Sequence, residues 1–113
     1  MTGDRMRRVD EAVREVLSDA LTHDLKDPRI GFVTVTDVKT SPDLRHARVY
    51  VTVLGGEDVR TASLAGLQSA HGVLQRRLAT ELRMKRTPTL RFVYDETTDR
   101  AMHIEEILSE EDR

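Results

Sequence analysis

Apolar side chains near the start of the chain recur at helical spacing. Between Met6 and Leu21 they are separated by steps of three and four residues, which places them on one face of an amphipathic helix. Pro28 disfavours the α conformation at the residue before it, so the helix has to end upstream of that position. The pattern therefore predicts a first helix over about residues 4–25.

Two runs with strand character follow this helix. The segment from Phe32 to Val38 is rich in β-branched residues, and from Ala47 to Val53 apolar and polar side chains alternate. A cluster of turn-forming residues at 40–43 separates the two runs. We expect the strands to pair as an antiparallel hairpin with one face in the core.

Helical spacing returns in the second half of the chain. One apolar stripe passes through Leu64 and Leu67, and a second continues from Val73 to Leu82. Gly72 lies between the stripes, and an isolated glycine in a helix costs about 1 kcal/mol relative to alanine. We therefore expect a bend or break at this glycine between helices over about residues 58–69 and 73–84.

A third strand is predicted to open at Thr87 and Pro88, because proline is acceptable at the start of a strand and Leu90, Phe92 and Tyr94 would share one face. We assign the last two aromatic residues, together with Phe32, to the core. The element order is then α-β-β-α-α-β, and the two-helix connection is long enough to make the second and third strands parallel. This predicts an α+β domain of two layers, in which helices cover one face of a three-stranded sheet.

Composition restricts the class of protein. The chain has 113 residues, which suits one domain, and it has no cysteine, so neither disulfides nor thiolate metal sites can hold it together. No apolar run approaches the roughly 20 residues that span a bilayer, and the N-terminal residues are polar and basic. We expect a soluble cytoplasmic protein that does not associate with membranes.

Charge is segregated along the chain although the formal net charge is only −2. From Val73 to Arg91 six bases face one acid, a net +5, whereas from Asp95 to Arg113 eight acids face two bases, a net −6. A basic block attracts polyanions even when the whole chain is acidic. The alternative interpretation is a solvated charged face with an acidic tail that favours solubility.

Catalytic chemistry has little support in the sequence. The four histidines, at 23, 46, 71 and 103, match no metal-ligand spacing, and the chain contains neither a phosphate loop nor a nucleophile elbow. We therefore expect a non-enzymatic protein without a cofactor. A small hydrolase would require acidic residues and histidines to cluster in a pocket.

The bases around the third helix are the main candidates for RNA contact, since an arginine fork can hold phosphate oxygens. They are Arg76, Arg77, Arg83, Lys85 and Arg86. Cations at a helix C-terminus also offset the helix dipole, which is the alternative role for Lys85 and Arg86. Arg7 and Arg8 are further candidates, and Lys26 and Arg29 either bind RNA or fix their turn through salt bridges.

The junction between the second and third helices is the second part of the predicted site. KH domains place a GXXG loop at such a junction to clamp nucleic-acid backbone, whereas this chain has Ala70, His71 and Gly72 there. Aromatic residues make up only 4% of the chain. Recognition of RNA shape and backbone is therefore expected rather than reading of bases.

Several segments together resemble the ribosome-binding factor A family. They are Lys26–Gly31 (KDPRIG), Asp43–Leu44 with Ala47–Leu54 (ARVYVTVL), Ala70-x-Gly72, and Arg83–Phe92 (RMKRTPTLRF). The likeness extends from roughly Arg5 to Leu108, and the order and spacing of the segments are specific. The sequence departs from the family pattern at Ala101–Ile104, where the family often has a glycine and a base.

The resemblance implies a type II KH-like domain over residues 1–108, with a kinked Ala-x-Gly junction in place of GXXG, followed by an acidic tail at 109–113. We expect the domain to end in a helical turn at 104–108. The resemblance also implies binding to the immature small ribosomal subunit and its rRNA, and help with maturation of the rRNA 5′ end without cutting RNA. It implies release before translation, which in some bacteria is assisted by a partner GTPase. We expect a monomer. A KH-like module that binds protein rather than RNA is the second hypothesis.

Overall fold

The first helix carries one side of the core. In the computed structural model, which describes residues 2–97, helix α1 spans Thr2–His23. Its buried face is formed by Val13, Leu17 and Ala20, each fully enclosed. The predicted helix is confirmed, and it ends just before Asp24, whose N–H donates to the Ala20 carbonyl at 2.8 Å.

The hairpin forms as the alternating pattern predicted. Strand β1 spans Val33–Thr40 and strand β2 spans His46–Val53, and the two pair antiparallel. Their register shifts between Val35 and Asp37, so β1 carries one extra residue, Thr36. This bulge allows Val35 and Val38, which are an odd number of positions apart, both to face the core.

The second half of the chain returns to the sheet through two helices. Helix α2 spans Glu57–Ser69, helix α3 spans His71–Glu81, and strand β3 spans Thr89–Tyr94 and lies parallel to β2. The sheet order is β1-β2-β3, as predicted. The side-chain amide of Gln68 donates to the Leu90 carbonyl at 3.2 Å and joins α2 to β3, and that of Gln75 donates to the Pro88 carbonyl at 2.9 Å and joins α3 to the residue before β3.

All three helices pack against one face of the sheet, which confirms the two-layer α+β architecture. Valines and leucines from every element meet in a single cluster that includes Phe92. The opposite face of the sheet is left open and carries mainly polar side chains. The described residues include no helix long and apolar enough to cross a membrane.

The assignment of Phe32 to the core is wrong, because 81% of its side chain is exposed. It directly precedes Val33, which is partly buried against the core, and successive side chains of an extended segment point to opposite faces. Tyr94 is only half-buried, with the Arg60 guanidinium 3.6 Å from the centre of its ring. Of the three aromatic residues assigned to the core, only Phe92 is buried.

The break between α2 and α3 lies at Ala70 rather than at Gly72, which is the second residue of α3. Ala70 has φ −87° and ψ 5°, a backbone conformation open to any residue. Among residues 2–97 the glycine with positive φ is Gly55, at 130°. The predicted break therefore lies two residues earlier than expected, and α3 ends at Glu81 rather than near Met84.

Three predictions lie outside the described residues: the helical turn at 104–108, the acidic tail at 109–113 and the consequence of the sequence departure at Ala101–Ile104.

Candidate nucleic-acid interface

The junction between α2 and α3 is a tight turn in which both backbone groups of Ala70 are hydrogen-bonded. The Ala70 N–H lies 3.1 Å from the carbonyls of both Gly66 and Leu67, while its own carbonyl accepts from Leu74 N–H at 3.2 Å. His71 Nδ1 donates to the Gln68 carbonyl at 2.8 Å. The two helices therefore meet without an intervening loop.

The first turn of α3 has the features of an anion site. No side chain caps this helix, and no acidic residue lies in its first turn. An anion that approached the first-turn N–H groups would therefore not compete with a carboxylate of the same turn. A Cβ at Gly72 would stand 4.0 Å from Arg76 Nη1, which places that guanidinium beside the first turn. Helix N–H groups and a neighbouring arginine are a combination that binds phosphate.

Arg77 is engaged differently from its neighbour Arg76. Its guanidinium donates to Asp19 at 2.5 Å, to Glu81 at 2.9 Å and to Asp24, so that it joins α3 to α1. These hydrogen bonds, the one to Asp19 first, raise the pKa of the Arg77 guanidinium, and in return Arg77 lowers the pKa of Asp19. Only 23% of its side chain is exposed. Its donors are thus satisfied within the protein.

Three candidate bases follow α3 in the segment that leads to β3. Arg83, Lys85 and Arg86 are all exposed, and none has an ion-pair partner among residues 2–97. Arg83 has φ 51°, the left-handed conformation that ends the helix, and a position where glycine is usually preferred. The backbone therefore leaves its helical path at this residue.

The structure brings Arg8 close to this basic segment. An apolar groove of about 290 Å³ is lined by Arg8, Val9 and Ala12 of α1 and by Leu44, Leu82 and Met84. Arg7 pairs with Asp4 at 3.2 Å on the exposed side of α1. Arg8 therefore lies beside Leu82 and Met84, which are chain neighbours of Arg83 and Lys85, whereas Arg7 has a local partner.

The turn that contains Lys26 and Arg29 lies at the other end of α1. Arg29 donates to Asp27 from its backbone N–H at 2.9 Å and from Nη2 at 2.7 Å, and these bonds lower the pKa of Asp27. Arg29 thus fixes its own turn, which was one of the two predicted roles. Lys26 is exposed and has no ion-pair partner among residues 2–97.

Two residues of α2 that the sequence analysis missed hold this turn in place. Ser63 is fully buried, and its hydroxyl accepts from Gly31 N–H at 3.0 Å and donates to the Arg29 carbonyl at 3.4 Å. Gly66, three residues later, allows Ile30 to approach the helix backbone. The available signal was the glycine within an otherwise regular helix, since such a glycine often marks close packing.

Within residues 2–97 no three His, Cys, Asp or Glu side chains come together as a metal site. His23 lies 3.1 Å from Asp19 on α1, His46 begins β2 and His71 begins α3. The histidines in this part of the chain are therefore dispersed, and His103 lies outside it.

The described residues form a small α+β protein with one sheet and three helices, and they carry exposed cations at Arg8, at Arg76 and in the segment after α3. The chain belongs to the ribosome-binding factor A family, since residues 5–108 match the family model described as ribosome-binding factor A. The resemblance in the sequence motifs is thereby confirmed.

Similar proteins agree with this assignment. The chain is 54% identical over 110 residues to ribosome-binding factor A of Anaeromyxobacter sp. (strain K), covering 96% of this chain and 80% of that one. The crystal structure of ribosome-binding factor A from Thermus thermophilus is similar with a TM-score of 0.71 and 29% identity, over 79% of this chain and 93% of that one. A Thermus thermophilus homology model fitted into the cryo-EM map of a 30S–RbfA complex has a TM-score of 0.64 and 30% identity, over 76% of this chain and 90% of that one.

Proposed function

We propose that this protein is a non-enzymatic assembly factor that binds the immature small ribosomal subunit and its rRNA. The observation that carries the proposal is membership of a family in which a relative has been fitted into a map of a 30S complex. The protein assists late maturation of the small-subunit rRNA, including its 5′ end, without cutting RNA. It acts in the cytoplasm as a monomer, and an assembly GTPase helps to release it.

In this proposal the domain is a type II KH-like fold in which Ala70, His71 and Gly72 replace the GXXG loop. The uncapped first turn of α3 and Arg76 hold one phosphate. The exposed cations at 8, 83, 85 and 86 contact the neighbouring backbone. Each such contact releases counterions from the RNA, so affinity falls with salt.

Arg77 acts in this proposal mainly by holding α3 in position. Its three carboxylate partners would have to be given up before its guanidinium reached a phosphate. Assistance to maturation follows from differential binding, because a protein that prefers one rRNA arrangement shifts the population towards it and leaves when that surface changes.

A second candidate function, binding to a protein partner, is favoured by the apolar groove between α1 and the segment after α3. Leu44, Leu82 and Met84 line it with aliphatic atoms of α1. An apolar protein interface is less sensitive to salt than a set of phosphate contacts. Salt dependence therefore separates the two functions.

The test is co-sedimentation of the protein with immature small particles, mature small subunits and large subunits over a range of salt concentrations. We expect selective binding to small-subunit species that weakens steeply with salt. Arg83→Gln/Arg86→Gln should lower the slope of log affinity against log salt by about 1.4–1.8, since each phosphate contributes about 0.7–0.9. Absence of binding to all particles would overturn the proposal.

A matched control is Thr61→Glu/Ala65→Glu. Both positions are exposed on α2, and the double substitution lowers the net charge by two, as the neutralisation of two arginines does. If this control weakens binding as much as Arg83→Gln/Arg86→Gln, the effect comes from total charge. A salt-insensitive interaction in the unaltered protein would favour the apolar groove and a protein partner.

A further inference from the structure

The open face of the sheet carries one cation from each strand in a continuous row. Lys39 of β1 is the register partner of Arg48 in β2, and Arg48 is the partner of Arg91 in β3. All three side chains are exposed, while their chain neighbours Val38, Val49 and Leu90 are buried on the helix-covered side. We name this set the sheet-face row.

The sheet-face row is unfavourable for the fold itself. Neighbouring strands lie about 4.8 Å apart, and like charges directly opposite one another destabilise a sheet. Neither Arg48 nor Arg91 has an ion-pair or hydrogen-bond partner among residues 2–97 for its side chain. Lys39 approaches Asp37 at 3.7 Å, and both side chains are more than half exposed, so that water screens the pair.

An aromatic surface lies beside the row on the same face. Tyr50 follows Arg48 by two residues in β2, so both side chains point to the open side, and Val93 is its register partner in β3. Tyr50 and Val93 line a depression of about 330 Å³ together with Tyr94, Thr97 and two acidic residues, Asp95 and Glu96. A half-exposed tyrosine ring next to a line of cations is the arrangement with which proteins stack bases and hold the backbone of single strands.

We propose that the open sheet face is a second RNA-binding surface, which takes a single-stranded segment. Lys39, Arg48 and Arg91 contact its phosphates, and Tyr50 stacks against one of its bases. This inference rests on the proposed function, because it supplies a further contact of the same protein with rRNA. Since the helices lie on the other side of the sheet, the domain would sit between two RNA segments and hold them apart at a fixed distance.

The first test measures binding of a short fluorescent oligo-uridylate and of immature small subunits by the full chain. Between about 50 and 200 mM salt, each single-strand phosphate contact contributes roughly a 2.6-fold loss of affinity. In Arg48→Gln/Arg91→Gln, the factor by which affinity for the oligonucleotide falls over this salt range should therefore be about sevenfold smaller. Thr61→Glu/Ala65→Glu, with the same change in net charge, should leave that loss unchanged.

A second variant tests the aromatic contact. Tyr50→Leu keeps an apolar side chain but removes the ring, and we expect it to weaken oligo-uridylate binding by at least about fivefold. Circular dichroism of each variant shows whether the fold is retained. Unchanged salt dependence in Arg48→Gln/Arg91→Gln would overturn the sheet-face proposal, whatever the effect of Tyr50→Leu.

Different results would overturn the sheet-face proposal and the proposed assembly role. If the unaltered protein binds immature subunits and Arg48→Gln/Arg91→Gln does so with the same affinity and salt slope, only the sheet-face proposal is overturned. If oligo-uridylate binding depends on Arg48 and Arg91 but no subunit is bound, the sheet-face proposal stands and the assembly role does not.

The acidic C-terminal segment of the same chain is the competing occupant. It begins next to the open face, since β3 ends at Tyr94 and eight acids follow from Asp95 onwards. Glu105→Gln/Glu106→Gln removes two of them in the full chain. The sheet-face row binds the chain's own carboxylates, and the proposal is overturned, if three results are found together. Glu105→Gln/Glu106→Gln binds the oligonucleotide more tightly than the unaltered protein, and Arg48→Gln/Arg91→Gln binds it with unchanged affinity. The variant that combines all four substitutions shows no gain in affinity.

Discussion

Ile30 packs so closely against the backbone of Gly66 that a Cβ on residue 66 would stand 2.7 Å from Ile30 Cγ1. This contact joins the KDPRIG turn to the middle of α2. The buried hydroxyl of Ser63, one helical turn earlier, bonds to the same turn through Gly31 and Arg29. A glycine and a serine three residues apart in α2 thus hold in place one of the segments on which the family resemblance is based.

Replacing Gly66 with alanine should destabilise the protein by about 1–3 kcal/mol, because the added methyl group overpacks a close contact. Helix propensity alone would favour alanine by about 1 kcal/mol, so destabilisation would show that packing dominates. Chemical denaturation monitored by circular dichroism measures the change.

Gly72→Ala is the matched control, since its Cβ would meet nothing closer than Arg76 Nη1 at 4.0 Å. We expect this variant to gain about 0.5–1 kcal/mol from the loss of backbone freedom in the unfolded chain. Equal effects of the two alanines would contradict the proposed close contact.

Replacing Ser63 with alanine should also destabilise the protein, by about 1–3 kcal/mol, because Gly31 N–H would be left without its partner in a partly buried turn. Hydrogen exchange at Gly31 should accelerate more than exchange in β2. Thr61→Ala on the exposed side of α2 serves as the control. Uniform acceleration across the protein would indicate a global loss of stability instead of a local release of the turn.

The succession of elements could be predicted from the sequence because it depends on local periodicity. The strand from Ala47 to Val53 alternates and pairs as expected, and the two-helix connection makes β3 parallel to β2. The junction was predicted at Gly72 but lies at Ala70, and the sequence could not separate the two because neither residue needs an unusual φ there. What fixes its position is tertiary, including the bonds from Gln68 and Gln75 to carbonyls at the start of the third strand.

The roles of individual cations could not be predicted to the same extent. Arg76 and Arg77 are neighbours in a basic block, yet only the second meets Asp19 and Asp24, which lie more than 50 residues earlier in the chain. The sheet-face row likewise depends on strand register, since Lys39 and Arg48 lie outside the block. Local charge counts predict that a segment attracts polyanions, but they do not predict which of its side chains already form ion pairs within the protein.

The contact between α1 and α3 should make stability depend on pH in the acid range. Arg77 holds the pKa of Asp19 below its ordinary value, so the folded state keeps this carboxylate charged at lower pH than the unfolded state does. The stabilisation is fully present above the unfolded value of about 3.9 and is lost as pH falls through the lower folded pKa.

Arg77→Met should therefore destabilise the protein at neutral pH and flatten the acid limb of its stability curve. The effect is best measured at low ionic strength, because Asp19 is half exposed and salt screens the pair. Arg7→Met, which removes an exposed pair with Asp4 inside α1 only, is the control. If the free energy of unfolding of Arg77→Met falls with decreasing pH as steeply as that of the unaltered protein, Asp19 does not contribute to the pH dependence.

Arg83 combines a strained backbone with a candidate RNA contact, so its replacement by glycine should separate stability from function. At φ 51° the arginine is in a conformation that glycine adopts without steric strain, and Arg83→Gly should stabilise the fold by about 0.5–1 kcal/mol. The same change removes an exposed cation, so affinity for immature small subunits should fall and its salt slope should decrease by about 0.7–0.9. Arg83→Gln removes the charge but keeps the strain, and it should weaken binding equally without the gain in stability. If Arg83→Gly is stabilised and binds as well as the unaltered protein, Arg83 only ends the helix. The phosphate contacts of the proposed site would then have to come from Arg8, Arg76, Lys85 and Arg86.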